Sequence, residues 1–547
     1  MKKNFKGMSL VLSTAMLASM LTGCGGAHET ATTSSQNYGN YASETLCESA
    51  DDCDAAPSFS AGSTTYGSKT DNTSSYIYEY SPVNNSESYD KPAENGYNLV
   101  LNQPLSTFAA DVDTASYSNI RRMIEDGYSL RDIDPDAVRP EEFINYFNYD
   151  LRKPDKGDKF GVTTEICNCP WNDEHKLLFV GMKAQDLDFE EGPKSNLVFL
   201  IDVSGSMSSK NKLPLLQKSF DEMIDNLPND GTVSIVTYSG EEKVVLEGER
   251  MSNKKAIKKA IDSLSAGGCT NGEAGMQKAY DIAAKCFIEG GNNRVIMATD
   301  GDLNVGISSV SDLEKFITNK KDEGIFLTVL GFGTGNYKDD KLEKIADCGN
   351  GNYSYIDSLF EGKKVLGEQL SSTLVTVAKD VKFQVEFNPE KVDSYRLIGY
   401  ENRTMAAKDF DNDAKDGGEM GAGHAVVALY EIVENDSYAG IELKYQASEK
   451  KQYSDEYATV KVRYKEPDED ESRLFSFPVK DDSFLEKPTD SIKFAGMAAE
   501  FALLLSDSEY KGNASFEDIM MTYKTLDKTD EYQQEFNQLV KIMAKRS

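Results

Sequence analysis

Between about residues 195 and 375 the chain alternates two hydrophobic patterns. Near-continuous apolar runs occur at Leu197–Ile201, Thr232–Thr237, Arg294–Ala298 and Ile325–Leu330. Runs apolar at successive positions predict strands buried on both faces, the signature of a parallel sheet. Between them, apolar residues recur at helical spacing over Leu213–Asn226, Lys254–Leu264, Gly272–Phe287 and Val310–Lys320. Asn229-Asp230-Gly231 and Gly290-Gly291-Asn292-Asn293 supply turn chemistry before the second and third strands. Strand and helix in alternation predict a doubly wound α/β domain, whose ligands belong at the carboxyl ends of its strands.

The flanks follow a different rhythm. Val381-Lys-Phe-Gln-Val-Glu-Phe387 alternates strictly, and Phe160–Cys167, Lys176–Lys183, Ala425–Ile432, Ile441–Tyr445, Tyr457–Tyr464 and Arg473–Val479 also read as strands. Alternation predicts half-buried antiparallel sheets. Two strands ahead of the α/β domain are too few for a stable unit. They are expected to join the later strands in one β-sandwich, with the α/β domain inserted between. Ile492–Leu505 reads as an amphipathic helix and Glu531–Lys545 as a closing one, their aromatics belonging to the core.

The start of the chain is patterned as an address. Lys2, Lys3 and Lys6 precede an apolar and small-residue stretch from Met8 to Leu21, short for a membrane span and typical of a signal-peptide core. It ends in Leu21-Thr22-Gly23-Cys24, which resembles a bacterial lipobox, in which the cysteine is acylated and becomes the new N-terminus. Acyl chains contribute roughly 0.8 kcal/mol per buried methylene, so several together anchor firmly. From Gly25 to about Asn98 the chain is rich in Ser, Thr, Asn, Gly, Tyr and acids, without a period. Such a segment cannot offset its ordering entropy. It is expected to be a disordered tether with a span on the order of 45–50 Å.

Composition narrows the partners. Among 547 residues, 91 acidic against 59 basic side chains leave a net charge of −32. That excess argues against nucleic acid and against electrostatic docking on anionic lipid, both of which reward clustered Lys and Arg. Eight cysteines show no C-x-x-C pair, and the three histidines, His28, His175 and His424, fall in no zinc or hydrolase motif.

The chemistry sits where the predicted strands end. The first runs into Asp202-Val-Ser204-Gly-Ser206, the third into Thr299-Asp300-Gly301, and Gly267-Gly-Cys-Thr270 follows the helix ending near Leu264. Two carboxylates (Asp202, Asp300) and three hydroxyls (Ser204, Ser206, Thr270) would meet on one rim. Hard oxygen donors carrying only two charges suit an octahedral Mg²⁺, with Mn²⁺ or Ca²⁺ as alternatives, and leave it electrophilic.

These three elements, in this order, resemble the metal-ion-dependent adhesion site (MIDAS) of von Willebrand factor type A (VWA) domains over roughly residues 195–375. The resemblance implies Asp202, Ser204, Ser206 and Thr270 as direct or near-direct ligands, with Asp300 acting through water. Some relatives place acids just past the serines for a second ion; Ser208-Ser209-Lys210 stands there in this chain, which implies a single site. Phe108–Arg122 and Val138–Phe147 resemble the N-terminal module of YfbK-like bacterial VWA lipoproteins. Asp380–Pro389, Tyr395–Asn402 and Gly421–Tyr430 resemble their C-terminal module.

The fold class expected is thus α/β: a Rossmann-like doubly wound VWA domain inserted in a β-sandwich-like domain, with an N-terminal tether and C-terminal helices. The expected segments are a lipoprotein signal peptide (1–23), the tether (24–98), an N-terminal module (99–194), the VWA domain (195–375) and a β-rich C-terminal module with terminal helices (376–547). The expected protein is exported and anchored through Cys24 to the cell membrane, or to the outer membrane of a Gram-negative source. Its expected role is non-enzymatic: metal-dependent grip on an Asp or Glu side chain of a protein partner, without nucleic acid. Two other readings stand beside it, a structural part of an envelope complex and a metal-assisted hydrolase.

Overall fold

A computed structural model describes residues 87–89, 93–187, 192–268, 272–301, 310–335, 337–435, 455–467 and 469–547. Cys24, Thr270 and the expected strand Ile441–Tyr445 lie outside the described residues. Ahead of the α/β domain come β1 (Asn98–Leu99), β2 (Leu105–Ala109), α1 (Ala115–Glu125), α2 (Pro140–Asn145), β3 (Phe160–Cys169) and β4 (Asn172–Ala184). The domain itself runs through β5 (Ser195–Asp202), α3 (Leu213–Asn226), β6 (Gly231–Tyr238), β7 (Glu242–Arg250), α4 (Lys254–Asp262), α5 (Gly272–Lys285) and β8 (Asn292–Thr299). It continues through α6 (Val310–Asp322), β9 (Ile325–Phe332), α7 (Asp339–Cys348), β10 (Tyr353–Ile356), α8 (Leu359–Lys363) and α9 (Leu370–Leu374). Then follow β11 (Thr376–Phe387), β12 (Val392–Ile398), β13 (Gly418–Gly421), β14 (Ala425–Glu434), β15 (Glu456–Lys465), β16 (Ser472–Lys480), α10 (Asp490–Leu505), α11 (Phe516–Tyr523) and α12 (Glu531–Arg546).

The α/β sheet has the order β10-β9-β8-β5-β6-β7. All its pairs are parallel except β6 with β7. Alternate residues of β5 serve opposite faces, which is why the run is apolar throughout. Leu197, Phe199 and Ile201 pack with α3 and α4, while Val198 and Leu200 pack with α5 and α7. The chain leaves β5 toward β6 on one side and later builds β8, β9 and β10 on the other. The carboxyl end of β5 is therefore the topological switch point, where loops diverge and open a crevice. Strand β7 escaped the sequence reading: Glu242-Lys-Val-Val-Leu-Glu-Gly-Glu-Arg250 is a half-exposed edge, with neither a continuous apolar run nor clean alternation.

Two further sheets form the sandwich, in the orders β1-β12-β14-β4-β3 and β13-β11-β15-β16, with β2 also on β11. Val180 of β4 is the register partner of Ala428 of β14, so strands from before and after the α/β domain share a sheet, as expected of an insertion. Phe108, Val162, Val180, Phe383, Tyr430 and Val460 fill the space between the sheets.

Two expectations are corrected. Helix α10 is not amphipathic: Phe494, Met497 and Phe501 pack on α1, α2 and α12, while Ile492, Ala495, Ala499 and Leu503 pack on β4 and β14. A helix held between two layers needs apolar residues all round. The tether also ends before Asn98. Ser88 donates to Asp340 at 2.7 Å, Glu87 pairs with Arg122 at 3.1 Å, and Asn95 donates to the Gly399 carbonyl at 2.8 Å. Polar side chains carry these contacts, so no hydrophobic period announces them.

The α/β domain docks on its flanks through charge. Arg403, just past β12, reaches Asp347 of α7 at 2.7 Å and Asp111 and Asp113 after β2 at 2.8 and 3.4 Å. Asp113 also accepts the backbone N–H of Tyr353 in β10 at 2.9 Å.

Candidate metal centre

Asp202 is the last residue of β5 and is fully buried. Its Oδ1 accepts the backbone N–H of Ser204 at 2.8 Å, which folds the loop back over the strand end. Its Oδ2 is buried without a hydrogen-bond partner. Desolvation pushes the carboxyl up to about 6, the neighbouring Asp300 charge adds to this, and the donors of Ser204 and the nearby Tyr238 hydroxyl oppose it. Tyr238, the register partner of Asp202 on β6, lies close enough that burial and the Asp202 charge raise its own ionisation. Even so, its hydroxyl and Asp202 Oδ2 both lack a partner at hydrogen-bond geometry.

Ser204 is buried, and its hydroxyl lies 2.8 Å from that of Ser206, which is exposed on the short turn Gly205–Ser208. The two hydroxyls thus form a step from the buried Asp202 toward solvent. The second loop is fastened alongside. Gly205 donates to the Gly268 carbonyl at 3.0 Å and Gly267 donates to the Val203 carbonyl at 2.8 Å. Gly268 sits at φ +84°, a left-handed conformation that favours glycine. The predicted ligand Thr270 follows two residues on, outside the described residues.

Asp300 follows β8, which pairs with β5 up to Ile201–Ala298, so its loop leaves the sheet next to that of Asp202. It is buried, and its Oδ2 accepts from Lys212 Nζ at 2.9 Å. Of the five predicted oxygen donors, four are described, and these stand on the loops of two adjacent strands. Among the described residues no group of three or more His, Cys, Asp or Glu is placed to hold a metal. A donor set of two carboxylates plus hydroxyls is of a different kind. It fits a hard divalent cation that keeps water in its shell, and the orphaned Asp202 oxygen is the atom such an ion would satisfy.

Sequence reasoning missed Lys212 and Tyr238. A lysine ahead of a helix and a tyrosine closing a strand carry no motif; only the packing brings them to Asp300 and Asp202. His175 and His424 stand on the sandwich. His175 lies 2.6 Å from Glu431 and 3.1 Å from the Tyr97 hydroxyl. Burial lowers His424 to about 4, and its Nδ1 accepts from the Gly421 N–H at 3.3 Å. Cys167, Cys169, Cys286 and Cys348 are free thiols.

Comparison with known proteins agrees with the architecture. The von Willebrand factor type A domain matches residues 196–369, a von Willebrand factor segment matches 83–179, and the C-terminal region described as "Uncharacterized protein YfbK, C-terminal" matches 372–545. The chain is 41% identical over 467 residues to "Uncharacterized protein YfbK" of Escherichia coli (strain K12), covering 83% of this chain and 80% of that one. It is 29% identical over 213 residues to the voltage-dependent calcium channel subunit alpha-2/delta-2 of Homo sapiens, covering 37% of this chain and 18% of that one. A solved von Willebrand factor type A protein from Catenulispora acidiphila aligns with a TM-score of 0.38 at 18% identity, over 65% of this chain and 81% of that one. With its inserted α/β domain and both flanking modules accounted for, the chain belongs to the YfbK-like family of bacterial von Willebrand factor type A proteins.

Proposed function

We propose that this protein is a lipid-anchored, surface-facing binder that grips an acidic side chain of a protein partner through a divalent cation, Mg²⁺ first among the choices. VWA domains serve protein–protein interaction and adhesion, which supports the class of function. The observation that carries the metal-dependent reading is Asp202: a buried carboxylate with one oxygen unpartnered, at the switch point of the sheet, beside two stacked hydroxyls. Leaving such an oxygen unpaired costs about 1–3 kcal/mol or more. A fold keeps it there when something else completes it.

In this reading Asp202, Ser204 and Ser206 hold the ion, Thr270 adds a third hydroxyl, and Asp300 balances charge from the adjacent strand. The bound cation supplies an electrophilic coordination position for the partner's carboxylate. The backbone hydrogen bonds from Gly205 and Gly267 keep the two loops in place before the partner arrives, so little ordering remains to be done on binding. The reading is of a binder and not a hydrolase, since His175 and His424 are engaged on the sandwich and supply no base at the Asp202 loop. Acylation at Cys24 would place the binder on the outer side of a membrane.

Crosslinking on intact cells in Mg²⁺ and in chelator, with the wild type and Asp202→Ala, tests the binding reading. Partner capture that needs both the ion and Asp202 supports it; wild-type capture undiminished in chelator overturns it and favours a structural role in an envelope assembly. Metabolic labelling with a palmitate analogue tests the anchor: label must be present in the wild type and absent from Cys24→Ser.

A further inference from the structure

The site contains a cation of its own. Lys212 stands at the N-terminal boundary of α3, with its backbone N–H on the Ser209 carbonyl at 3.0 Å and its carbonyl accepting from Leu216 at 2.9 Å. Its ammonium reaches Asp300 Oδ2 at 2.9 Å, and its side chain is only 13% exposed. The route of that side chain depends on a distant glycine. A Cβ at Gly333 would come within 2.2 Å of Lys212 Cε and 2.5 Å of Cγ. Gly333 sits at φ +78°, and its carbonyl accepts from the Tyr355 hydroxyl at 2.6 Å. The turn after β9 is thus held in a shape that leaves a channel for the lysine stem. Two features from far apart in the chain, a lysine and a missing side chain, together aim one positive charge at one of the two carboxylates of the site.

We propose that Lys212 is a built-in competitor for the divalent ion. In the ion-free protein it neutralises Asp300; on metal binding its ammonium withdraws along the Gly333 channel toward solvent. This inference rests on the metal-binding reading above and goes further, because it assigns Lys212 a role in setting affinity. With Lys212 in place an arriving ion meets one uncompensated carboxylate, Asp202, instead of two. Like charges a few ångströms apart in a partly dry site repel strongly, so the lysine weakens binding and makes it easily reversible.

The opposite role, in which Lys212 props Asp300 in its ligating position, predicts the opposite result, and one substitution separates them. Lys212→Met keeps an unbranched stem along Gly333 and removes the charge. Mn²⁺ binding to the full chain is titrated by the electron paramagnetic resonance signal of free Mn²⁺, with Mg²⁺ as competitor. Wild type and Lys212→Met are compared, each with and without Asp202→Ala. The proposal expects Lys212→Met to bind Mn²⁺ at least about tenfold more tightly, and Asp202→Ala to abolish the site in both backgrounds. Binding in Lys212→Met alone, with a silent wild type, supports it as well. Wild-type binding through Asp202 that is unchanged or weakened in Lys212→Met overturns the competitor role and leaves the metal site standing. Absence of Asp202-dependent binding in every variant overturns both.

Discussion

Replacing Asp202 with Asn should make the ion-free protein more stable, although it destroys the site. Burial pushes the Asp202 carboxyl up to about 6. Relative to an ordinary aspartate that is a change of roughly a hundredfold in ionisation, worth ~3 kcal/mol against the folded state at neutral pH. Asn keeps an oxygen for the Ser204 N–H, so that hydrogen bond survives. Its amide N–H2 would stand where Oδ2 is now unpartnered, which takes back part of the gain. A net stabilisation of ~1–2 kcal/mol remains. The sign with pH follows from the direction of the shift: the penalty on the wild type is absent below the usual aspartate range, grows as pH rises toward 6, and is complete above it. Urea denaturation in chelator at pH 7.5 and at pH 4 measures both ends; the advantage of Asp202→Asn should be present at the first and gone at the second. Saturating Mn²⁺ or Mg²⁺ should reverse the order, because an ion at 100 times its dissociation constant adds about 2.7 kcal/mol to the wild type alone. A variant less stable than the wild type in chelator at pH 7.5 would refute the assignment of strain to Asp202.

Other substitutions test the frame around the site. Arg403→Gln removes the bridge between Asp347 of the α/β domain and Asp111 and Asp113 of the flank; chemical denaturation should show a loss of ~3–5 kcal/mol, since buried carboxylates are left unpaired. Glu500 of α10 is buried and raised to about 7 by desolvation, with the Ser515 N–H on its Oε1 at 3.2 Å. Its charge therefore costs nothing below the usual glutamate range and most above 7, so Glu500→Gln should gain up to ~3 kcal/mol at pH 8.5 and nothing near pH 4.5. Phe536→Ala, in the aromatic cluster of α12, α10 and α2, should cost ~3–5 kcal/mol by the same assay.

Much of the molecule is legible in its local sequence patterns. The runs Leu197–Ile201 and Val295–Ala298 are apolar at every position because each strand is covered on both faces, so local pattern suffices to predict a parallel sheet. Strict alternation from Val381 to Phe387 likewise marks the face that enters the sandwich core, although Lys382 and Gln384 on the other face are buried as well, beneath neighbouring strands and loops the pattern does not report. Asp202, Ser204 and Ser206 were legible because a loop at a strand end packs its chemistry into five consecutive residues. Strand β7 and the docking of Ser88 and Asn95 were not, because an edge strand and polar docking contacts leave no hydrophobic period to read.

The sequence by itself determined the α/β domain, its insertion between strand-rich flanks and the order of the oxygen donors, since each follows from burial patterns or from residues adjacent in the chain. Tertiary structure alone decided that α10 is buried on both sides, that Asp202 keeps an oxygen without a partner, and that Lys212 reaches Asp300 along a channel left by Gly333. Those three depend on which distant atoms come within a few ångströms of each other, and no local period in the chain encodes that.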